Sequence, residues 1–143
     1  MSSVERIKTG IPGLDHVLRG GLRKNSTILI TGAPGTGKTI MALQFIYYGA
    51  KDSNEKGIFI TTEENLDDIR QFAKNLGMDI SALESQKKIF FVQKPISTLK
   101  GGIESVKGLV DAIKKYSIKR VVLDSLIFFD YLYPRFNSNR MEF

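Results

Sequence analysis

The stretch from residue 29 to residue 40 constrains the fold of this chain more than any other part of its sequence. It consists of an apolar run, a Gly-x-x-x-x-Gly-Lys-Thr pattern and the start of a helical pattern. A strand that enters a glycine-rich turn and then a helix forms an anion cradle, because backbone N–H groups point inward and the helix dipole adds positive charge. The glycines let the main chain approach a polyphosphate closely. The pattern therefore predicts a binding site for a nucleoside triphosphate.

The loop is predicted to contact the nucleotide through both its backbone and its side chains. Lys38 is predicted to reach the β- and γ-phosphates, and the hydroxyl of Thr39 is predicted to be a ligand of Mg²⁺. The predicted nucleotide-binding residues are Gly32, Ala33, Pro34, Gly35, Thr36, Gly37, Lys38, Thr39 and Ile40. The alternative is an ordinary glycine-rich turn with an exposed lysine, which the strand–loop–helix context disfavours.

Composition limits the protein classes that remain. The 143 residues supply one domain's worth of chain, and the absence of cysteine excludes a disulfide framework and a thiolate metal site. No signal-peptide core and no apolar run of about 18 residues occurs, so a cytoplasmic protein without a membrane segment is expected. The net charge of +6 fits either a polyanion-binding protein or a solvated lysine-rich surface. The dispersed lysines favour the solvated surface over a nucleic-acid partner.

Apolar runs alternate with helical patterns along the chain. The predicted strands cover 27–31, 58–62, 89–93 and 119–124, and the predicted helices cover 38–51, 65–76 and 103–116. This alternation is typical of an α/β fold with a mostly parallel sheet and helices on both of its faces.

For two of the predicted helices the sequence also indicates the apolar face or the ends. A short helix near the N-terminus is predicted to place Leu14, Val17 and Leu18 on one face, because they lie at positions i, i+3 and i+4. The helix after the second strand is predicted to begin with Asn65 as its N-cap and to end at Gly77. Its predicted apolar stripe consists of Leu66, Ile69, Phe72 and Leu76.

Acidic residues at the ends of two predicted strands are candidates for chemistry. Asp124 ends an apolar strand, which is where P-loop proteins place their second magnesium-associated acid; the alternative is an aspartate that caps the following turn. Glu63 and Glu64 follow the second strand, at the edge where open α/β sheets bind ligands. One of them is a candidate to orient or deprotonate the attacking water. The alternative is that both complement the N-terminus of the next helix.

Five motifs occur in the order typical of one family. They are Thr-Gly-Ile-Pro-Gly-Leu-Asp at 9–15, Gly-Gly-Leu at 20–22, the loop at 32–39, Thr-Glu-Glu at 62–64 and Val-Val-Leu-Asp-Ser at 121–125. Over residues 5 to 126 they resemble the KaiC-like branch of the RecA superfamily of P-loop ATPases. The resemblance implies a RecA-like core that binds ATP with Mg²⁺, often in a ring-shaped, commonly hexameric homo-oligomer with nucleotide between subunits. It also implies a catalytic pair at Glu63 and Glu64 and a Walker B role for Asp124.

The chain departs from the family pattern after Asp124. A complete domain of this family adds at least two more core strands, one of them between the Walker A and Walker B strands, whereas this chain ends at Phe143. We therefore expect one KaiC/RecA-like ATPase domain over 1–143 that is truncated after the Walker B strand. An N-terminal piece of a longer protein is favoured over a shortened member whose apolar tail docks on a partner. Complete catalysis by the chain alone is not expected.

The function predicted from these residues is ATP binding with Mg²⁺-dependent hydrolysis in a regulatory or signalling ATPase. Lys38 and the loop amides stabilise charge, Thr39 and Asp124 hold magnesium, and Glu63 or Glu64 handles the water. Two alternatives are a scaffold module that binds nucleotide without turnover and a recombinase-like DNA-dependent ATPase. A small-molecule kinase is disfavoured, because a glutamate pair suits water better than an acceptor alcohol.

Overall fold

The structure, a computed structural model, describes residues 3–94 and 103–125, without the side chains of residues 103–106. The elements in chain order are β1 (Arg6–Ile7), α1 (Leu14–Val17), β2 (Leu22–Arg23), α2 (Lys38–Asp52), β3 (Gly57–Thr61), α3 (Leu66–Asn75), α4 (Ile80–Ser85), β4 (Ile89–Gln93), α5 (Ile103–Lys115) and β5 (Arg120–Asp124). The apolar tail discussed above lies outside the described residues.

The main sheet is parallel, with β3 between β4 and β5. Every residue of β3 is buried, as expected for a central strand whose two faces are both covered. The register pairs Thr61 with both Gln93 and Asp124, so the carboxyl ends of the three strands meet at one edge. The acidic residues that follow β3 and end β5 are therefore brought to the same edge of the sheet.

Helices cover both faces of this sheet, which confirms the predicted α/β class. Successive side chains of a strand point to opposite faces. Phe59 accordingly packs into a core formed with α2, α3 and α4, whereas Ile58 and Ile60 face α5. The buried residues of the first core are Leu43, Ile46, Tyr47, Ala50, Phe59, Ile69, Ala73, Met78, Ile80, Leu83 and Ile89.

Residues 6–23 form an N-terminal unit in which β1 pairs with β2 in antiparallel register. The carboxylate of Asp15 accepts hydrogen bonds from the backbone N–H of Thr9 at 2.8 Å, from the Thr9 hydroxyl at 2.8 Å and from the N–H of Gly10 at 3.2 Å. Burial opposes ionisation of Asp15, but these bonds outweigh it and hold the pKa of the carboxyl below its usual value. Gly21 has φ of +114°, and a Cβ there would overlap the carbonyl oxygen of Ile7. The sequence pattern predicted a short helix here but did not reveal the strand pair.

Two predicted apolar faces differ from the observed ones. Val17 is 75% exposed, because α1 is a single turn at the surface. Phe72 on α3 and Leu76 just after it are exposed, and Ala73 is buried beside Ile69. The prediction followed side-chain size, but the small alanine is what lets α3 pack closely against the core. The Asn65 cap is confirmed, with its side chain accepting the N–H of Asp67 at 2.8 Å, and Gly77 follows the helix end with φ of +79°.

The predicted first strand at 27–31 was wrong for the structure described. This segment has no strand assignment, and its apolar side chains are exposed, Leu29 by 63%. A β-strand needs a paired neighbour, and none of the described strands pairs with residues 27–31. The prediction also omitted α4, a short helix whose N-cap Asp79 accepts the N–H of Ala82 at 3.1 Å.

The described helices include none that is both long enough and apolar enough to span a bilayer.

Candidate functional site

The glycine-rich loop leads directly into α2 and leaves the N-terminus of this helix without a side-chain cap. Gly35 and Gly37 have φ of +78° and +94°, values that side-chain-bearing residues rarely adopt. The first hydrogen bond of the helix runs from the N–H of Met41 to the carbonyl of Gly37. The backbone N–H groups before Met41 therefore lie at a helix N-terminus that attracts anions.

The side chain of Lys38 lies across this loop. Its Nζ donates to the carbonyl oxygens of Gly32 at 2.8 Å and Ala33 at 2.9 Å, and the Thr36 hydroxyl also donates to Ala33 at 2.7 Å. A lysine ammonium has three N–H donors, so two of them hold it in place. The third has no acceptor among the described residues and is available to an anion at the loop.

Thr39 and Asp124 meet beside the loop. The Thr39 hydroxyl donates a 2.8 Å hydrogen bond to Oδ2 of Asp124, across 85 positions of sequence. A hydroxyl that donates its one hydrogen still has lone pairs for a cation. Both residues supply the hard oxygen ligands that Mg²⁺ prefers.

This donor set fits a magnesium ion that is shared with a bound polyphosphate. Within residues 3–94 and 103–125, no group of three or more histidine, cysteine, aspartate or glutamate side chains is placed to hold a metal. Magnesium is usually held by one or two protein oxygens together with substrate phosphates rather than by a cage of protein ligands. The pair formed by Thr39 and Asp124 corresponds to that arrangement.

The turn after β3 is bonded to the end of β5. The N–H of Thr62 donates to the carbonyl of Asp124 at 3.0 Å, and the Thr62 hydroxyl accepts the N–H of Ser125 at 3.4 Å. Within the turn, the hydroxyl of Thr61 accepts the N–H of Glu64 at 3.0 Å. These bonds hold the two-glutamate turn against the strand end that carries Asp124.

The environment of Glu64 affects the pKa of its carboxyl. Burial of its carboxyl raises its pKa, and the negative charges of Asp124, Glu63 and Asp68 raise it further. The residue as a whole is nevertheless exposed, so water reaches it. Glu63, which is also exposed, lies on the same turn. The structure thus brings Lys38, Thr39, Asp124 and Glu64 to one end of the sheet.

One buried charged residue was missed by sequence reasoning. Arg120 begins β5 and is only 1% exposed, although its position suggested no more than a strand boundary. A cation directly before the apolar run of a strand was the available signal. The hydroxyl oxygen of Ser125, next to Asp124, is also buried and has no hydrogen-bond partner among the described residues.

A glycine-rich loop before a helix, with the threonine of that helix bonded to an acid at a parallel strand end, defines a P-loop protein of the RecA superfamily. A family described as "ATPase: KaiC" matches residues 7–137. The chain belongs to this KaiC family of ATPases.

Proteins of bacteria and archaea are similar in sequence to this chain. The circadian clock oscillator protein KaiC of Prochlorococcus marinus subsp. pastoris is 40% identical over 130 residues, which cover 86% of this chain and 26% of that protein. UPF0273 protein MJ1359 of Methanocaldococcus jannaschii is 42% identical over 89 residues, which cover 62% of this chain and 37% of that protein.

A solved structure matches the fold. The crystal structure of KaiC-like protein PH0186 from Pyrococcus horikoshii OT3 gives a TM-score of 0.78 at 36% identity, and the match covers 89% of this chain and 56% of that one. The chain therefore spans about a quarter of the cyanobacterial KaiC relative, with 26% coverage, and 56% of the archaeal structure.

Proposed function

We propose that this chain binds ATP together with Mg²⁺ at the loop formed by residues 32–39 and belongs to a domain that hydrolyses it. The observation that carries the proposal is the hydrogen bond between Thr39 and Asp124. It joins the phosphate-binding helix to the acidic end of β5, so that a hydroxyl and a carboxylate lie beside the anion cradle. An ordinary glycine-rich turn has no need for that pairing.

The proposed binding roles follow from the donors and acceptors that are present. The N–H groups at the start of α2 and the third N–H of Lys38 bind phosphate oxygens. Thr39 and Asp124 hold Mg²⁺, which supplies positive charge to the phosphate oxygens when bound. Gly35 and Gly37 keep the loop backbone in the left-handed conformation that opens the cradle.

For the hydrolytic step we propose that Glu64 is the general base that accepts a proton from the attacking water. Its pKa is raised by burial and by neighbouring carboxylates, and a base whose pKa is closer to neutral accepts a proton more effectively. Glu63 assists from the same turn. The resemblance to KaiC supports a homo-oligomer, commonly a hexameric ring with nucleotide between subunits, as the assembly in which residues 1–143 act, and a regulatory or signalling role for it.

The proposal is tested by titrating the protein with ATP in the presence of Mg²⁺ by isothermal calorimetry. Lys38→Ala should lower the affinity by at least about tenfold, because a charge-assisted contact to phosphate is lost. Lys74→Ala is the matched control, since Lys74 lies in the last turn of α3, away from the loop. Equal affinities in the wild type and Lys38→Ala would contradict the assignment.

A further inference from the structure

Arg120 is a buried cation at the opposite end of the sheet from the phosphate loop. Its Nη1 donates to the carbonyl oxygen of Phe45 at 2.9 Å, and its Nη2 donates to that of Lys8 at 2.6 Å. The carboxylate of Glu55 approaches the guanidinium only to 3.3 and 3.4 Å. A buried charge requires such compensation. The guanidinium thus bonds two backbone carbonyls in addition to its ion pair with Glu55.

Gly49 and Phe45 pack closely against the planar guanidinium of Arg120. A Cβ on Gly49 would overlap the guanidinium, and the ring of Phe45 lies 4.6 Å from its central carbon. The fork of an arginine can bond two carbonyls and stack on a ring at the same time, whereas a lysine ammonium is a single point charge. We call Arg120 with its bonds to Lys8 and Phe45 the Arg120 clasp.

The two carbonyls lie on either side of the phosphate loop in the sequence. Lys8 precedes the loop and Phe45 follows it, so one side chain closes the whole segment between them. Within that segment, the backbone N–H of Lys24 donates to the carbonyl of Glu5 at 3.0 Å, which ties the end of the N-terminal unit to its start.

The N-terminal unit supplies a second contact to the same helix. Gly10 packs directly on Tyr48 of α2, where a Cβ would overlap the tyrosine side chain. The bonds of Asp15 to Thr9 and Gly10 stiffen this region, and Lys8 lies immediately before it. The N-terminal unit and α2 thus pack together around the clasp, and the segment that contains the phosphate loop begins and ends on these two elements.

From this arrangement we infer that Arg120 is a positioning residue for nucleotide binding. It touches no nucleotide. It holds the start of the 8–45 segment against α2, which limits the conformations that this segment and its loop can adopt before ATP binds. Ordering the loop in advance raises affinity, because less conformational entropy is lost on binding. The inference rests on the proposed function, since it concerns affinity for ATP with Mg²⁺.

The test compares Arg120→Lys with Arg70→Lys. Arg70 is a suitable control, because it also forms a two-bond pair, with Glu84 at 2.9 Å, and lies over an aromatic ring, but it joins α3 to α4. Arg120→Lys should weaken ATP binding by about tenfold at a temperature where both variants are folded, and Arg70→Lys should leave it within about twofold. Equal affinities in the two variants would refute the positioning role.

Amide hydrogen exchange, measured without nucleotide, distinguishes a positioning role of Arg120 from a general stabilisation of the whole fold. Arg120→Lys should accelerate exchange at residues 24–39 while the amides of β3 keep their wild-type protection, whereas Arg70→Lys should accelerate exchange only in α3 and α4. Uniform acceleration over the whole protein in Arg120→Lys would show a purely structural role. If the wild type fails to bind ATP, the proposed function fails, and this comparison still decides whether the clasp orders the loop.

A third measurement needs no substitution and applies even if Arg120→Lys does not fold. Coupling between two sites is reciprocal, so ATP with Mg²⁺ should slow exchange at Thr9 and Gly10 in the wild type. These amides lie next to the clasp and remote from the phosphates. Protection confined to the loop and the strand ends, with unchanged exchange at Thr9 and Gly10, would overturn the inference.

Discussion

The hydroxyl of Thr39 donates a 2.8 Å hydrogen bond to the carboxylate of Asp124. This contact joins the first turn of α2 to the last residue of β5, and it is the point at which the phosphate loop and the acidic strand end become one site.

Asp124→Asn should weaken ATP binding in the presence of Mg²⁺ and leave binding in EDTA unchanged. Asparagine keeps an acceptor for the Thr39 hydroxyl but loses the negative charge that a cation needs. The loss should be about tenfold or more with Mg²⁺ present. Paired titrations with and without the metal measure it, with exposed Asp67→Asn as control. An equal loss in both titrations would show that Asp124 does not act through a cation.

In the complete ATPase domain, Glu64→Gln should abolish most hydrolysis while ATP affinity stays near that of the wild type. A general base contributes roughly 100-fold or more to rate, and glutamine cannot accept the proton. Phosphate release under single-turnover conditions measures the loss, with Glu63→Gln compared in parallel. A larger loss in Glu63→Gln would transfer the role to Glu63.

The raised pKa of Glu64 predicts a pH dependence of stability. The carboxyl holds its proton to a higher pH in the folded state than in the unfolded state, so the folded state binds more protons between those two pKa values. Stability contributed by this group therefore falls as pH rises through that window. Glu64→Gln should be more stable than the wild type at neutral pH, and the difference should shrink toward acid pH. Urea unfolding at several pH values measures it, and a difference that grows on acidification would contradict the raised pKa.

Gly21→Ala should destabilise the protein by about 2 kcal/mol or more, because the residue has a positive φ and a Cβ would overlap the carbonyl of Ile7. Gly108→Ala is the control. Gly108 lies within α5, and a Cβ there meets no atom of the described structure within 4 Å. That change should stabilise by about 0.5–1 kcal/mol through helix propensity. Thermal unfolding of both variants tests the contrast, and equal shifts would show that Gly21 is not sterically required.

Local patterns predicted much of the fold correctly. The bounds of β4 were predicted without error, and those of α2, β3, α3, α5 and β5 to within one or two residues. These elements have strong apolar periodicity or clear caps, such as Asn65. The pattern did not reveal which strands would pair. Residues 27–31 are apolar enough for a strand, yet no described strand pairs with them.

The candidate site shows the same division between local and long-range information. The Gly-x-x-x-x-Gly-Lys-Thr pattern predicted the loop, because its glycines and its helix start are properties of consecutive residues. The distance between Thr39 and Asp124 depends on the register of β3 against β5. The sequence motifs indicated that both residues belong to one site, but only the structure gives the hydrogen bond between them.

By itself, the sequence determined the class of fold, the phosphate loop and the acidic residues available to it. Tertiary structure alone decided that Arg120 is buried and that it bonds the carbonyls of Lys8 and Phe45. A buried arginine looks like any surface arginine in a sequence, because its burial depends on carbonyl groups contributed by distant segments. Backbone acceptors are present at every residue, so no residue type marks the two that Arg120 selects. Packing of the N-terminal unit against α2 brings those two together.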